Sequence, residues 1–210
     1  PYLSWFYRRY GVKALAAAGK WEEAIRYAEA SQGHNDSYTP IAAACEAILL
    51  DAGRIEEAYR CFALAATSAT NHLARFRSLA KKYPHLPPEQ ILGDLIANSP
   101  GEEGKWFATA KTLGFFELAA ALAHKSPVDI ATLNRAARDF FEKEPAFALE
   151  SALAALHWLA AGRFYEITGA DVHEAVRYAC ELSAKLGKQE EVLQRDRKST
   201  RLNSSHGIIS

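Results

Sequence analysis

Two stretches of the chain carry one pattern: Gly19-Lys-Trp-Glu-Glu-Ala-Ile-Arg26 and, 34 residues later, Gly53-Arg-Ile-Glu-Glu-Ala-Tyr-Arg60. A glycine is typical of the end of a helix, where the chain turns through a left-handed conformation. The two glutamates that follow are favourable at the positive N-terminal end of the next helix. The pattern therefore predicts helical hairpins that recur along the chain. Such hairpins bury little surface alone and become stable when they stack.

The composition also favours helices. The 210 residues include 40 Ala but only 5 Val, and 49% are hydrophobic while 24% are charged, which excludes a disordered chain. Apolar periodicity predicts an all-α fold with helices near residues 2–18, 21–31, 38–52, 55–68, 71–83, 88–98, 101–113, 115–124, 128–142, 146–161 and 171–186, and a short one beyond 188. The predicted helix ends are Gly19, Gly53, Gly114, Gly162 and Gly187, and the prolines expected in first helical turns are Pro40, Pro88, Pro127 and Pro145. Capping boxes are predicted at residues 126–129 and 171–174.

The repeat resembles the tetratricopeptide-repeat family, whose period is 34 residues and whose second helix carries a Gly-x-aromatic-x-Glu-Ala pattern. The matching positions are Gly19, Trp21, Glu23, Ala24, Ile25 and Tyr27, and then Gly53, Glu57, Ala58 and Phe62. Where the family has a small residue in the first helix of each pair, this chain has Val12 and Glu46. The resemblance covers residues 5–69 and becomes loose beyond them. It implies a tetratricopeptide-like α-solenoid of antiparallel helical hairpins.

The last residues resemble the translation of a short-read sequencing adapter. Residues 196–206 read Asp-Arg-Lys-Ser-Thr-Arg-Leu-Asn-Ser-Ser-His, which the adapter encodes in order, and Ile209 and Ser210 fit its continuation. We therefore expect one helical-repeat domain over residues 1–195, cut at both ends, and a non-native, disordered tail over residues 196–210. The whole chain has 25 basic and 25 acidic residues, and without the tail its net charge is −2. This balance argues against an electrostatic nucleic-acid binder.

A search for chemistry finds weak candidates only. Cys45, Cys61 and Cys180 form no C-x-x-C pair, and we interpret them as reduced core thiols of a cytoplasmic protein. His157 lies beside Trp158 on an apolar helix, with Glu150 on the same face. We expect a core histidine there and keep a perturbed, reactive group as the alternative. Residues 101–106 lack the spacing of a phosphate-binding loop. We predict no catalytic residue, no metal ligand and no cofactor.

Two surface features remain. Arg75, Arg77, Lys81 and Lys82 form one basic cluster, interpreted either as a solvated helix face or as a docking patch for an acidic partner or phosphate. The first helix carries five aromatic residues, Tyr2, Trp5, Phe6, Tyr7 and Tyr10. We expect them to pack against an upstream repeat that is missing from this chain, with an interfacial anchor as the alternative. The apolar stretch 146–161 is too short for a membrane span, and we expect a central buried helix.

These observations favour a non-enzymatic scaffold that binds a protein or peptide segment of its own or another chain, and no membrane. Two alternatives stay open. The segment could be the helical accessory region of a larger enzyme or metal-binding protein. It could also be a nucleic-acid-associated repeat that uses the face of Arg75 and Lys82, although the charge balance speaks against this.

Overall fold

The computed structural model describes residues 4–33, 36–163 and 167–194, and every regular element in these ranges is helical. The predicted all-α class is therefore confirmed. The chain divides into two compact units, Pro1–Ser99 and Pro100–Ser210. The predicted tail over residues 196–210 lies outside the described residues.

The described residues of the first unit form six helices. They are α1 (Trp5–Ala17), α2 (Trp21–Glu29), α3 (Thr39–Asp51), α4, α5 (His72–Lys82) and α6 (Pro88–Ala97). Helix α4 has three parts, an α-helical turn Ile55–Ala58, a π-helical segment Tyr59–Ala63 and a final α-helical turn Leu64–Ala66. Helices that follow each other from α1 to α4 pack together, as do α5 and α6. Within this unit, packing therefore joins helices that are close along the chain.

The second unit starts with a 3-10 turn, Glu103–Trp106, that continues into α7 (Phe107–Thr112). The remaining helices are α8 (Phe116–Lys125), α9 (Ile130–Asp139), α10 (Pro145–Ala160) and α11 (Gly169–Leu186), and residues 189–194 are again helical. Helix α10 packs against α8, α9 and α11 and buries half of its residues, which confirms the expected central helix. When the 3-10 turn is counted with α7, each described helix begins and ends within three residues of its predicted bounds.

The sequence repeat is also a repeat of local geometry. Gly19 and Gly53 take left-handed φ angles of 74° and 73°, which a glycine adopts without steric cost. The amides that follow, at Lys20 and Arg54, donate to carbonyls five residues earlier at 3.0 and 2.8 Å. The guanidinium of Arg54 lies 4.9 Å from the ring centre of Trp21, so the second copy contacts the first. Left-handed φ angles at the other three glycines confirm the predicted helix ends at Gly114, Gly162 and Gly187.

The core of the first unit lies among α1 to α4. Ala24 and Ala28 of α2 are fully buried, and their small side chains let α2 lie close to its neighbours. The other buried members of this cluster are Val12, Ile41, Ala42, Cys45, Leu49, Ala58 and Phe62. Burial of this apolar surface provides the main favourable free energy of the unit.

Both predicted capping boxes are wrong. Asp129 is the N-cap of α9 and accepts from the amide of Thr132, so it does not occupy the third helical position. In α11 the box lies three residues earlier than predicted, with Thr168 as N-cap and Asp171 as the third helical residue. The error has a local cause, because Ser, Thr and Asp can all cap and spacing alone does not select among them.

The proline predictions hold at three of four positions. Pro40, Pro88 and Pro145 lie in the first turns of α3, α6 and α10. Pro127 precedes the start of α9 by three residues. It belongs to the extended segment that runs from Ser126 to the N-cap, so the prediction there is wrong.

Candidate functional site

A cleft of about 590 Å³ lies between α4 and α6 in the first unit. Its lining residues are Glu56, Tyr59, Arg60, Leu64, Gln90, Asp94, Ala97 and Asn98. Most of these side chains carry hydrogen-bonding groups, and both signs of charge are present. A surface of this kind can bind the main chain and polar side chains of a peptide.

The α4 wall of the cleft includes the π-helical segment that begins at Tyr59. π-helical segments are rare in proteins, and those that do occur are often found at functional sites. The phenol of Tyr59 is almost fully buried and donates to Oδ2 of Asp94 at 2.7 Å. Burial and the neighbouring Asp94 carboxylate raise the pKa of Tyr59 above its ordinary value, so the phenol stays a neutral donor.

Asp94 occupies an unusual electrostatic position. It lies in the last turn of α6, where the helix dipole is negative and an acidic side chain is unfavourable. Its hydrogen bond from Tyr59 offsets part of this cost. The other acceptor positions of the carboxylate lie in a cleft wall, where a cationic or N–H donor of a ligand would be favourable.

A buried polar network supports this wall. The rings of Tyr59 and Tyr83 meet edge to face with centroids 5.0 Å apart. The phenol of Tyr83 donates to Oε1 of Glu46 at 2.7 Å, and Nζ of Lys82 lies 2.6 Å from Oε2. Glu46 is 2% exposed and Tyr83 is fully buried. The network therefore fixes Tyr59 from behind, through contacts among α3, α4 and the end of α5.

The sequence alone does not predict this network. It shows only that Glu46 stands where the tetratricopeptide-repeat family has a small residue. A signal did exist, since Glu46 is the single charged residue in the otherwise apolar run over residues 41–50. A charged residue at a buried helical position calls for a partner. The sequence does not indicate that the partner is Tyr83.

The structure divides the predicted basic cluster. Arg75 turns back to the end of α4, where it donates to the carbonyls of Thr67 and Leu64 at 3.1 and 2.7 Å. Lys82 pairs with Glu46. Arg77 and Lys81 are exposed. Two of the four cations are thus engaged by the chain itself, and two remain on the surface.

In the second unit, Glu150 contacts His124. Oε2 of Glu150 lies 2.9 Å from Nε2 of His124. His157 is exposed, so the expected core position is wrong, although partial burial and the nearby His124 lower its pKa. Trp158 donates from its indole to the carbonyl of Ala123 at 2.7 Å and meets the His157 ring edge to face.

The glycine-rich segment before α7 has a packing role. The amide of Gly104 donates to Oγ of Ser126 at 2.6 Å in the protein interior. A Cβ at this position would lie 2.5 Å from the Ser126 carbonyl oxygen and 2.7 Å from that of Pro127. Only glycine allows the 3-10 turn to approach this backbone so closely.

The cysteine prediction is correct at one position only. Cys45 is buried in the first core, and burial, together with Glu29, raises the pKa of its thiol to about 12. Cys61 and Cys180 are exposed, so they are not core residues. Helical periodicity alone did not separate the inner and outer faces at these two sites.

The first helix exposes aromatic rings. Phe6, Tyr7 and Tyr10 are 55%, 61% and 58% exposed. The guanidinium of Arg9 lies over the rings of Phe6 and Tyr10, 4.3 and 5.0 Å from their centres. Of the two other aromatic residues predicted for this face, Trp5 packs against the core of the first unit and Tyr2 lies outside the described residues.

Within the described ranges, no group of three or more His, Cys, Asp and Glu side chains has an arrangement that could hold a metal ion. In the same ranges, none of the helices combines the length and the apolar character that a membrane crossing requires. Comparison with protein-family models, with curated proteins and with solved structures found no match.

Proposed function

We propose that the chain is a tetratricopeptide-like helical-repeat scaffold that binds a polypeptide segment in the cleft between α4 and α6. The observation that carries the proposal is Asp94, an acceptor that the hydrogen bond from Tyr59 holds in the wall of an open cleft. The repeated turn geometry at Gly19 and Gly53 supports the repeat interpretation. The proposed role is binding, without catalysis.

The chemistry of the cleft suggests which peptides fit. Asp94 and Glu56 accept hydrogen bonds from Lys, Arg or backbone amides, while Arg60 and Gln90 donate to acidic or carbonyl groups. A segment with a basic residue that reaches Asp94 is therefore the favoured ligand. The free cysteines suit the reducing cytoplasm, which is the compartment that we propose.

The test is selection of peptides from a random phage-displayed library on the full chain, followed by affinity measurement with labelled synthetic copies. Ala97 is the last residue of α6, is exposed and lines the cleft. Ala97→Trp fills the cleft, and we expect it to weaken peptide binding at least about tenfold by steric exclusion. Ala17→Trp is the matched control, because Ala17 is the exposed last residue of α1.

Asp94→Asn adds a test of the chemistry. It removes the charge that a basic side chain would meet and keeps the shape of the acceptor, so affinity for basic peptides should fall and its salt dependence should decrease. If peptides bind the Ala97→Trp variant as tightly as they bind the unchanged chain, the binding site lies outside the cleft. Failure to select any peptide that binds would contradict the proposal.

A further inference from the structure

A second cavity of about 400 Å³ lies in the first unit, between the start of α3 and the segment that joins α4 to α5. Its lining residues are Tyr38, Thr39, Leu64, Ala65, Thr67, Ser68, Ala69 and Arg75. Leu64 also lines the α4–α6 cleft, but the polar groups of the two cavities are different. The second cavity carries hydroxyl groups and one cation.

Arg75 is the charged residue that lines this cavity. Its Nε and Nη2 groups donate to the carbonyls of Thr67 and Leu64, which fixes the plane of the guanidinium. No ion pair among the described residues involves Arg75, and its second terminal nitrogen, Nη1, has no hydrogen-bond partner among them. Burial alone lowers the pKa of Arg75, which indicates that no carboxylate offsets its loss of hydration. A half-buried cation is normally paired, so this one can accept an anionic ligand.

Hydroxyl donors surround the same space. Oγ1 of Thr67 is buried and has no hydrogen-bond partner in the described part of the chain. Thr67 has extended backbone and is one of the residues that line the cavity. Thr39 and Ser68 contribute two more hydroxyl groups. An unsatisfied buried hydroxyl costs free energy that a bound oxyanion would recover.

The start of α3 adds to the attraction. Thr39 is the first residue of this 13-residue helix, and the side chain of the N-cap residue Tyr38 makes no capping hydrogen bond among the described residues. The first amides of a helix have no partner within it and lie at its positive end. The residues that line the cavity thus come from three separate segments, which are α3, residues 67–68 and α5.

We infer that this cavity binds a phosphate group, with Arg75 as its cationic anchor and the Thr39, Thr67 and Ser68 hydroxyls as donors. Donors from several directions suit a tetrahedral oxyanion better than a planar carboxylate, and guanidinium is a preferred partner of phosphate. The phosphate belongs to a phosphorylated side chain or is free in solution. The inference is independent of the proposed peptide cleft.

One acidic side chain opposes binding. Burial is the larger cause of the raised pKa of Tyr38, and the nearby carboxylate of Glu29 adds to it. Glu29 is exposed, so its field at the cavity is screened by water and salt. Glu29→Gln should therefore strengthen phosphate binding slightly, and more at low than at high salt.

The experiment is calorimetric titration of the full chain with inorganic phosphate, O-phospho-L-serine and acetate at constant ionic strength. We expect saturable binding of both phosphate probes and weaker binding of acetate. Arg75→Gln should weaken phosphate binding about tenfold or more, as expected for loss of a charged hydrogen-bond donor. Arg77→Gln is the matched control on the same helix, because Arg77 is exposed and does not line the cavity. Stronger binding of O-phospho-L-serine than of inorganic phosphate would identify a phosphorylated side chain as the source.

Thr67→Val keeps the inference testable if Arg75→Gln does not fold, since Arg75 also caps α4. Valine keeps the shape of threonine and removes the unpartnered hydroxyl, so the ligand-free melting temperature should stay equal or rise. Affinity for phosphate should fall severalfold in the same variant. Absence of saturable phosphate binding by the unchanged chain would overturn the inference. Equal losses in Arg75→Gln and Arg77→Gln, or an unchanged phosphate affinity in Thr67→Val, would overturn it as well.

Discussion

Removal of a single buried hydroxyl group tests the network behind the cleft. Tyr83→Phe deletes the phenol that donates to Glu46 at 2.7 Å and leaves the ring in place. Both residues are almost completely buried, so water cannot replace the lost bond. A hydrogen bond to a charged group contributes about 1.5–3 kcal/mol, and we expect the first unit to lose about 2 kcal/mol of stability.

Removal of the carboxylate should cost more. Glu46→Ala leaves the Tyr83 phenol without its acceptor, leaves a hole beside α5 and frees Lys82 from its partner. Breaking a buried charged pair from one side costs about 3–5 kcal/mol. Lys82 is more than one third exposed and recovers water, so the value should lie at the lower end of this range. The double variant should be less destabilised than the sum of both changes, with a coupling free energy of about 1.5–3 kcal/mol.

The assay must separate the two compact units. Urea-dependent hydrogen exchange, read by mass spectrometry on peptides from α3 and from α10, reports the free energy of opening for each unit. The α3 peptides should lose protection in both variants, and the α10 peptides should not. Tyr7→Phe is the control, since Tyr7 is 61% exposed and its hydroxyl group can bond to water. A change below about 0.5 kcal/mol in Tyr83→Phe, or a coupling free energy near zero, would refute the role assigned to Glu46.

Three further predictions concern packing and pH. Gly104→Ala should destabilise the second unit by about 1–3 kcal/mol, because the new Cβ would clash with the Ser126 carbonyl oxygen. Gly93→Ala has open space around it in α6 and should stabilise the first unit by roughly 1 kcal/mol. Urea unfolding measures both, and a neutral Gly104→Ala would show that the turn can move. The pKa of His157 is lower in the folded chain than in the unfolded chain, so the unfolded chain binds a proton at a higher pH. Stability should therefore fall as the pH drops below about 6.5. His157→Gln should reduce this loss in thermal melts, and an unchanged pH profile would contradict the prediction. The raised pKa of Tyr83 keeps its proton in the folded chain, so stability should fall as the pH rises above about 10, and Tyr83→Phe should flatten this alkaline loss in circular-dichroism titrations. An equally steep loss in the variant would assign it to other groups.

The helices were predictable because their signals are local. Glycine at a left-handed φ angle, proline in a first turn and the spacing of apolar residues each act within one or two turns of the chain. The repeat at Gly19 and Gly53 was readable for the same reason. Capping was less predictable, as the shift of the box from Asp171–Glu174 to Thr168–Asp171 shows, because neighbouring polar residues compete for the same amides.

The candidate site could not be predicted in this way. Tyr59 meets Asp94 across 35 residues, and Glu46 meets Tyr83 across 37. Both contacts depend on how far each helix is rotated about its axis when it packs, and a rotation of one residue position would break them. The π-helical segment at Tyr59 changes that rotation locally, and no residue pattern in the sequence predicts this segment.

The basic cluster also combines a local feature that is predictable with contacts that are not. Helical periodicity is a property of the local chain, so the amino-acid sequence is enough to place Arg75 and Lys82 on one helix. The contacts of Arg75 with the end of α4 beside a cavity, and of Lys82 with buried Glu46, arise only when the helices pack. Local backbone preference selects the helices, whereas burial and long-range hydrogen bonding select which of their polar side chains become paired.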